Sequence, residues 1–153
     1  MARKSSISEL ETHLGYWLRM VSNHVSHAFG QKVAGQGVTV AEWVVLRTLH
    51  TADGATPSRV ADELKMTRGA ISKLVDRLLA KGLVSRTVVA QDRRWQDLAL
   101  TSKGRALVPR LAALADENDT EFFGVLSGED RTALERILKK IVRRREIEGV
   151  PVD

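Results

Sequence analysis

Six segments carry apolar residues at three- and four-residue spacing, and one pair of β-branched segments lies between the fourth and the fifth. These observations predict a mainly α-helical fold with one small β-ribbon, in the α+β class. At 153 residues the chain can bury a real core as one ordinary domain with a helical extension. It holds no cysteine, which excludes disulfides, thiolate metal sites and cysteine nucleophiles. The basic start "MARKSSISELETHLG" has no apolar stretch behind it, and the longest aliphatic and aromatic run, "WVVL" at 43–46, is far too short to span a bilayer. The expected setting is the cytoplasm, with no membrane partner.

The first helix is expected from a capping box of Ser8 with Glu11, followed by Leu10, Leu14, Trp17, Leu18, Val21, Val25 and Ala28 at helical spacing. Its expected end is near Phe29, before a "GQKVAGQG" loop. Thr39 with Glu42 repeats the box and opens "VAEWVVLRTLH", a helix apolar on most of its surface and therefore buried. Thr56 is an N-cap with Pro57 at the first helical position, where a missing N–H costs nothing. The short stripe of Val60, Ala61 and Leu64 then supports little more than two turns. Thr67 caps "TRGAISKLVDRLLAKG", whose Ile71, Leu74, Val75, Leu78 and Leu79 form a stripe that Gly82 stops.

Two short helices joined by so tight a turn predict a helix-turn-helix, with the second helix leaving Arg68, Gly69, Ser72, Lys73, Asp76 and Arg77 on its free face. "LVSRTVV" and "QDLALT" predict two strands, with "AQDRRWQ" as the seven-residue loop of their hairpin. An isolated ribbon is marginal, so it must lean on the helices as a wing. A long helix follows from Thr101, with Pro109 as an expected kink, and Ser127 with Asp130 caps a last helix striped by Leu134, Ile137, Leu138, Ile141 and Val142. The organisation expected is an N-terminal dimerisation helix (1–36), a winged helix-turn-helix lobe (37–101, with a recognition helix at 67–81 and a wing at 83–101) and C-terminal dimerisation helices (102–153).

Net charge is +5, and its placement says more than its size. Residues 55–104 carry 10 basic against 5 acidic side chains, whereas the segments before and after nearly cancel. A basic centre between neutral flanks predicts that the centre meets a polyanion.

The order of elements and two motifs resemble the MarR family of bacterial winged helix-turn-helix transcription regulators, over about residues 10–145. "ISKLVDRLLAKGLVSR" is similar to the end of that family's recognition helix and its entry into the wing. "DRRWQDLALTSKG" is similar to the family's wing pattern, carried by Asp92, Arg94, Leu98, Leu100, Thr101 and Gly104. Trp95 departs from the pattern, which has a small or polar residue after the arginine. The resemblance implies a sequence-specific regulator, read as a repressor, that binds a pseudo-palindromic operator as a homodimer. It also implies a small aromatic or phenolic effector held between the dimer helices and the DNA-binding lobe. No cofactor or metal is expected.

The major groove admits an α-helix, so Thr67, Arg68, Gly69, Ser72 and Lys73 are the candidate base and backbone contacts, with Arg77 reaching phosphate. The minor groove is too narrow for a helix, but its negative potential draws in a slim guanidinium. Arg94 is the candidate for that insertion, Asp92 the acceptor that orients it, and Arg93 a phosphate contact. Candidate lining for the effector is His13, Tyr16, Trp17, Met20 and His24 on the first helix with Trp43, Arg47 and His50 on the second. The sequence has no phosphate-binding glycine loop, His-Glu-x-x-His or nucleophile elbow, so an enzyme is not expected. The expected setting of the regulator is the cytoplasm, associated with the nucleoid; the competing interpretation is a non-specific architectural DNA binder, against which the modest net charge argues.

Overall fold

The structure, a computed structural model, describes residues 7–52, 54–88 and 96–152. Its elements in chain order are α1 (Leu14–Ala34), α2 (Val40–Thr51), α3 (Pro57–Leu64), α4 (Arg68–Ala80), β1 (Val84–Val88), β2 (Gln96–Leu100), α5 (Ser102–Phe123) and α6 (Gly128–Arg144). Among the described residues no helix is long and apolar enough to cross a membrane.

Two expected boundaries of the first helix are corrected. The Ser8–Glu11 capping box does not form; Leu10–Thr12 make a single 3-10 turn, capped by Glu9 without a side-chain bond, and α1 begins after His13. Local bonds win over the box, because the Thr12 hydroxyl donates to the Glu9 carbonyl at 2.7 Å and the His13 amide to the Leu10 carbonyl at 3.2 Å. At its other end α1 runs past Phe29 to Ala34, since the fully buried Val33 gives the last turn a place in the core. Lys32 fastens that turn to α5 by donating to Asn118 Oδ1 (3.2 Å) and Glu121 Oε2 (2.8 Å).

The Thr39–Glu42 box does form, and Val45, Leu46 and Leu49 put α2 at the centre of the core. Thr56 accepts from the Arg59 amide, as expected of a cap ahead of Pro57. Lys65, in the left-handed region (φ 53°), ends α3 while the Met66 amide reaches back to the Ala61 carbonyl at 3.0 Å. That sharp turn sets α4 across α3. The stripe of Ile71, Leu74, Val75 and Leu78 is buried, and α4 ends in a Schellman motif, with Leu83 N–H on Leu78 O and Gly82 N–H on Leu79 O, both 3.0 Å.

The ribbon is antiparallel, registered Val84 with Leu100 and Val88 with Gln96. Gln96, which the expected strand and the expected loop share, belongs to the strand. Ala55, ahead of α3, makes a two-way bridge to Leu98 (2.8 and 3.1 Å), which seats the ribbon against the helices. Thr101 caps α5 and donates its hydroxyl to Gly82 O at 2.7 Å. α5 continues through Pro109 and packs on α1 and α2.

α6 differs from the other α-helices in burying none of its residues. Arg131 pairs it with Asp119 of α5, yet Ile137, Leu138, Ile141 and Val142 remain exposed. Leu14, Trp17, Leu18 and Val21 on α1 are exposed as well, Leu14 by 87%. So much aliphatic surface is far from what a lone soluble subunit usually displays.

Candidate nucleic-acid interface

The outward face of α4 follows from the inward one. With Ile71, Leu74, Val75 and Leu78 in the core, Arg68, Gly69, Ser72, Lys73, Asp76 and Arg77 all fall on the exposed side. Among the described residues Arg68, Lys73 and Arg77 enter no ion pair, so three cations on one helix face are uncommitted. Thr67 is already engaged: its hydroxyl oxygen accepts from the Ala70 amide at 3.1 Å. What it can still offer an incoming acceptor is its O–H.

Two charge pairs that hold this face were not legible in the sequence. Lys81, at the end of α4, donates to Glu42 Oε2 at 2.6 Å and to the Gly37 carbonyl at 2.8 Å. Glu42 is only 1% exposed, and the same oxygen accepts from the Thr39 amide at 3.2 Å. One buried carboxylate thus caps α2 and fixes the far end of α4. Arg86 on β1 donates to Asp76 on α4 at 3.1 Å, tying the base of the ribbon to α4. Asp76, expected on the free face, is spent on this bond. Neither pair has a local sequence signal, because the partners stand 39 and 10 residues apart.

Gly104 explains the last position of the wing motif. A Cβ placed there would lie 2.1 Å from the Leu83 carbonyl oxygen. The backbone of α5 touches the start of the ribbon at this point, and the Thr101 amide donates to the same oxygen at 3.1 Å. Asp92, Arg93, Arg94 and Trp95 lie outside the described residues; they belong to the stretch between Val88 and Gln96.

The structure does not gather the eight candidate effector residues. His13, Tyr16, Met20 and His24 line an open depression along α1, next to Arg19. Trp17 stands beside it, with its indole N–H on the Glu11 carbonyl (2.8 Å) and its ring edge-on to Tyr16. Arg47 lies on a shallow groove near α3 and donates to Thr51 at 2.6 Å, and His50 is exposed at the end of α2. Trp43 alone faces the cavity between α1, α2 and α5, of about 360 Å³, with Val25, Phe29, Val40 and Val44. Its polar edge is Ser26, Asp119 and the buried Asn118, whose side-chain amide donates to the Val25 carbonyl at 3.1 Å. Asn118 had a faint signal: it occupies a stripe position, four residues from Leu114, where an apolar residue is the rule.

Among the described residues the side chains whose pKa is displaced both lie on α6, away from α4. Hydrogen bonding to Asp119 raises Arg131, and hydrogen bonding to Lys139 lowers Glu135. Among the described residues no group of three His, Asp or Glu is placed to hold a metal ion.

Residues 36–94 match the model of the MarR family. The transcriptional regulator PrsX of Escherichia coli is 32% identical over 108 residues, which is 69% of this chain and 65% of that protein. The chain thus spans slightly less than two thirds of that relative. The multiple antibiotic resistance protein MarR of Escherichia coli is 27% identical over 84% of this chain and 90% of its own length. Among solved structures, a cysteine-to-serine variant of that MarR complexed with operator DNA has a TM-score of 0.74 at 27% identity, covering 84% of this chain and 93% of its own. The MepR–DNA complex of Staphylococcus aureus has a TM-score of 0.76 at 28% identity, covering 86% and 98%.

Proposed function

Since the chain belongs to the MarR family of winged-helix transcription regulators, we propose that it binds operator DNA as a homodimer and acts as a repressor. The observation that carries this is the outward face of α4, where Arg68, Lys73 and Arg77 stand uncommitted around Gly69 and Ser72. Laid in the major groove, that face gives Arg68 the fork that recognises guanine, while Ser72 and Lys73 meet a base edge or phosphate and Arg77 a phosphate. Gly69 and the Thr67 O–H sit at the helix N-terminus, where backbone amides favour phosphate.

The wing supplies the second contact. Arg94 enters the minor groove, Asp92 orients it, and Arg93 meets the backbone. Two copies are needed to read a pseudo-palindrome, and the apolar faces of α1 and α6 are the surfaces a second copy covers. The cavity beside Trp43 is the place for a small aromatic or phenolic effector that releases the operator. The setting is the cytoplasm, on the nucleoid.

Replacing Arg94 by Ala tests the wing. Duplex affinity is expected to fall by roughly 10- to 100-fold, the effect of losing one good groove contact, with the circular dichroism intact. An unchanged affinity in a folded variant would remove Arg94 from the interface. Random duplexes titrated at physiological salt are expected to bind about a thousandfold more weakly than the operator. Equal affinities would favour the architectural alternative.

A further inference from the structure

The segment after α6 turns back toward the other helices. A second Schellman motif closes that helix, with Ile147 N–H on Val142 O (3.0 Å), Glu146 N–H on Arg143 O (3.3 Å) and Glu146 in the left-handed region at φ 51°. A non-glycine residue seldom takes that conformation, and here it turns the chain sharply. Three residues later Gly149, at φ 99°, turns it again.

The two turns bring 148–152 back onto the DNA-binding lobe. Val150 and Pro151 line the α1–α2–α5 cavity together with Trp43, Val44 and Phe29. Glu148 Oε2 is 3.9 Å from Lys65 Nζ, and a Cβ placed on the neighbouring Gly149 would lie 4.0 Å from Lys65 Cβ. Val152 is half-buried. Lys65 is the left-handed residue at the turn between α3 and the recognition helix. One short segment therefore touches both the cavity and the turn that aims α4.

We infer that residues 146–152 form an intramolecular strap: Val150 and Pro151 occupy the mouth of the cavity as a built-in ligand, while Glu148 braces the helix-turn-helix at Lys65. A molecule entering beside Trp43 displaces the strap and frees the turn in one event. The strap is built to yield, since Val150 is 38% exposed and the Glu148–Lys65 pair is in solvent. The lining also selects what can displace it. Among the described residues Asp119 is its one charged lining group, already paired with Arg131, so an uncharged apolar molecule fits better than an anion.

The strap stands on the cavity and on Lys65, so a failure to bind DNA would leave it untouched, and the test uses no DNA. In a full-length chain carrying Trp17→Phe and Trp95→Phe, Trp43 is the sole tryptophan. Val150→Ser with Pro151→Ser is expected to raise acrylamide quenching of Trp43 and to tighten binding of the neutral dye N-phenyl-1-naphthylamine about tenfold, the gain from removing a competitor seated nine-tenths of the time. Glu148→Lys, at an exposed site, is expected to keep the fold and to shift both readouts the same way by repelling Lys65. Adding the dye to the chain with its strap intact should speed hydrogen exchange at the Met66 amide. Quenching and dye affinity that stay put in folded Glu148→Lys and Val150→Ser/Pro151→Ser chains would overturn the strap. So would dye binding that leaves Met66 exchange unchanged.

Discussion

Replacing Gly104 by Ala should destabilise the protein, although the same change inside an open helix stabilises it. The added Cβ would stand 2.1 Å from Leu83 O, 3.0 Å from its carbonyl carbon and 3.4 Å from its Cα. Ordinary carbon–oxygen contacts begin at about 3.3 Å, so α5 and the ribbon must part by roughly 1 Å. Backbone lies on both sides, and no side chain can swing away. The separation strains the Thr101 amide bond to Leu83 O (3.1 Å) and the Thr101 hydroxyl bond to Gly82 O (2.7 Å). Overpacking costs about 1–3 kcal/mol and each weakened hydrogen bond about 1 kcal/mol, against which alanine's better helix propensity returns about 1 kcal/mol. The net loss is about 2–4 kcal/mol, which lowers the melting temperature by roughly 5–15 °C in a domain of this size. Gly30 within α1 is the internal control, because a Cβ there meets nothing within 4 Å and Gly30→Ala should gain up to about 1 kcal/mol. Thermal or urea unfolding of both variants reads the difference in sign. A Gly104→Ala protein as stable as the parent would refute the close approach of α5 to Leu83.

Lys81→Met leaves the Glu42 carboxylate buried with the Thr39 amide as its remaining donor, at 3.2 Å; the expected loss in urea unfolding is about 1–3 kcal/mol, below that of a fully buried pair because Lys81 is partly in solvent. Adding Glu42→Gln, which keeps an acceptor for Thr39 without the charge, should recover part of it. Ile141→Asp places a charge on the exposed stripe of α6, so sedimentation should show self-association weakened by at least tenfold (about 1.4 kcal/mol) with helical content retained. A parent chain that is monomeric at micromolar concentration would remove the dimer. Arg77→Ala should weaken all duplexes alike and lower the salt slope by about one, as for a phosphate contact, whereas Arg68→Ala should relax selectivity at one base pair.

Elements whose signals are local were legible in the sequence. The Thr39–Glu42 box, Thr56 with Pro57, the Thr67 cap and the i, i+3, i+4 stripe of α4 each involve residues within a few positions of one another, and each formed. The Ser8–Glu11 box has the same signature and lost to the Thr12 and His13 bonds, because nothing in the core holds that turn. Val33 shows the converse: burial extended α1 through a glycine-containing stretch that composition assigns to a loop. The outward face of α4 was readable because it is the complement of the buried stripe. Lys81 with Glu42 and Arg86 with Asp76 were not, since each pairing depends on how α2, α4 and β1 cross. The return of Val150 to Trp43 depends in addition on two backbone turns, and one of them uses Glu146, whose type gives no warning of a left-handed conformation.

Selection of bound duplexes from a random pool, at physiological salt and with the full chain, tests the central claim most directly. The expected outcome is an enriched inverted repeat whose half-sites lie about one helical turn, some 10 base pairs, apart, with an A·T-rich narrow minor groove where the wings reach. A pool with no enriched motif, or with a single motif lacking a symmetric partner, would contradict recognition by paired α4 helices and wings.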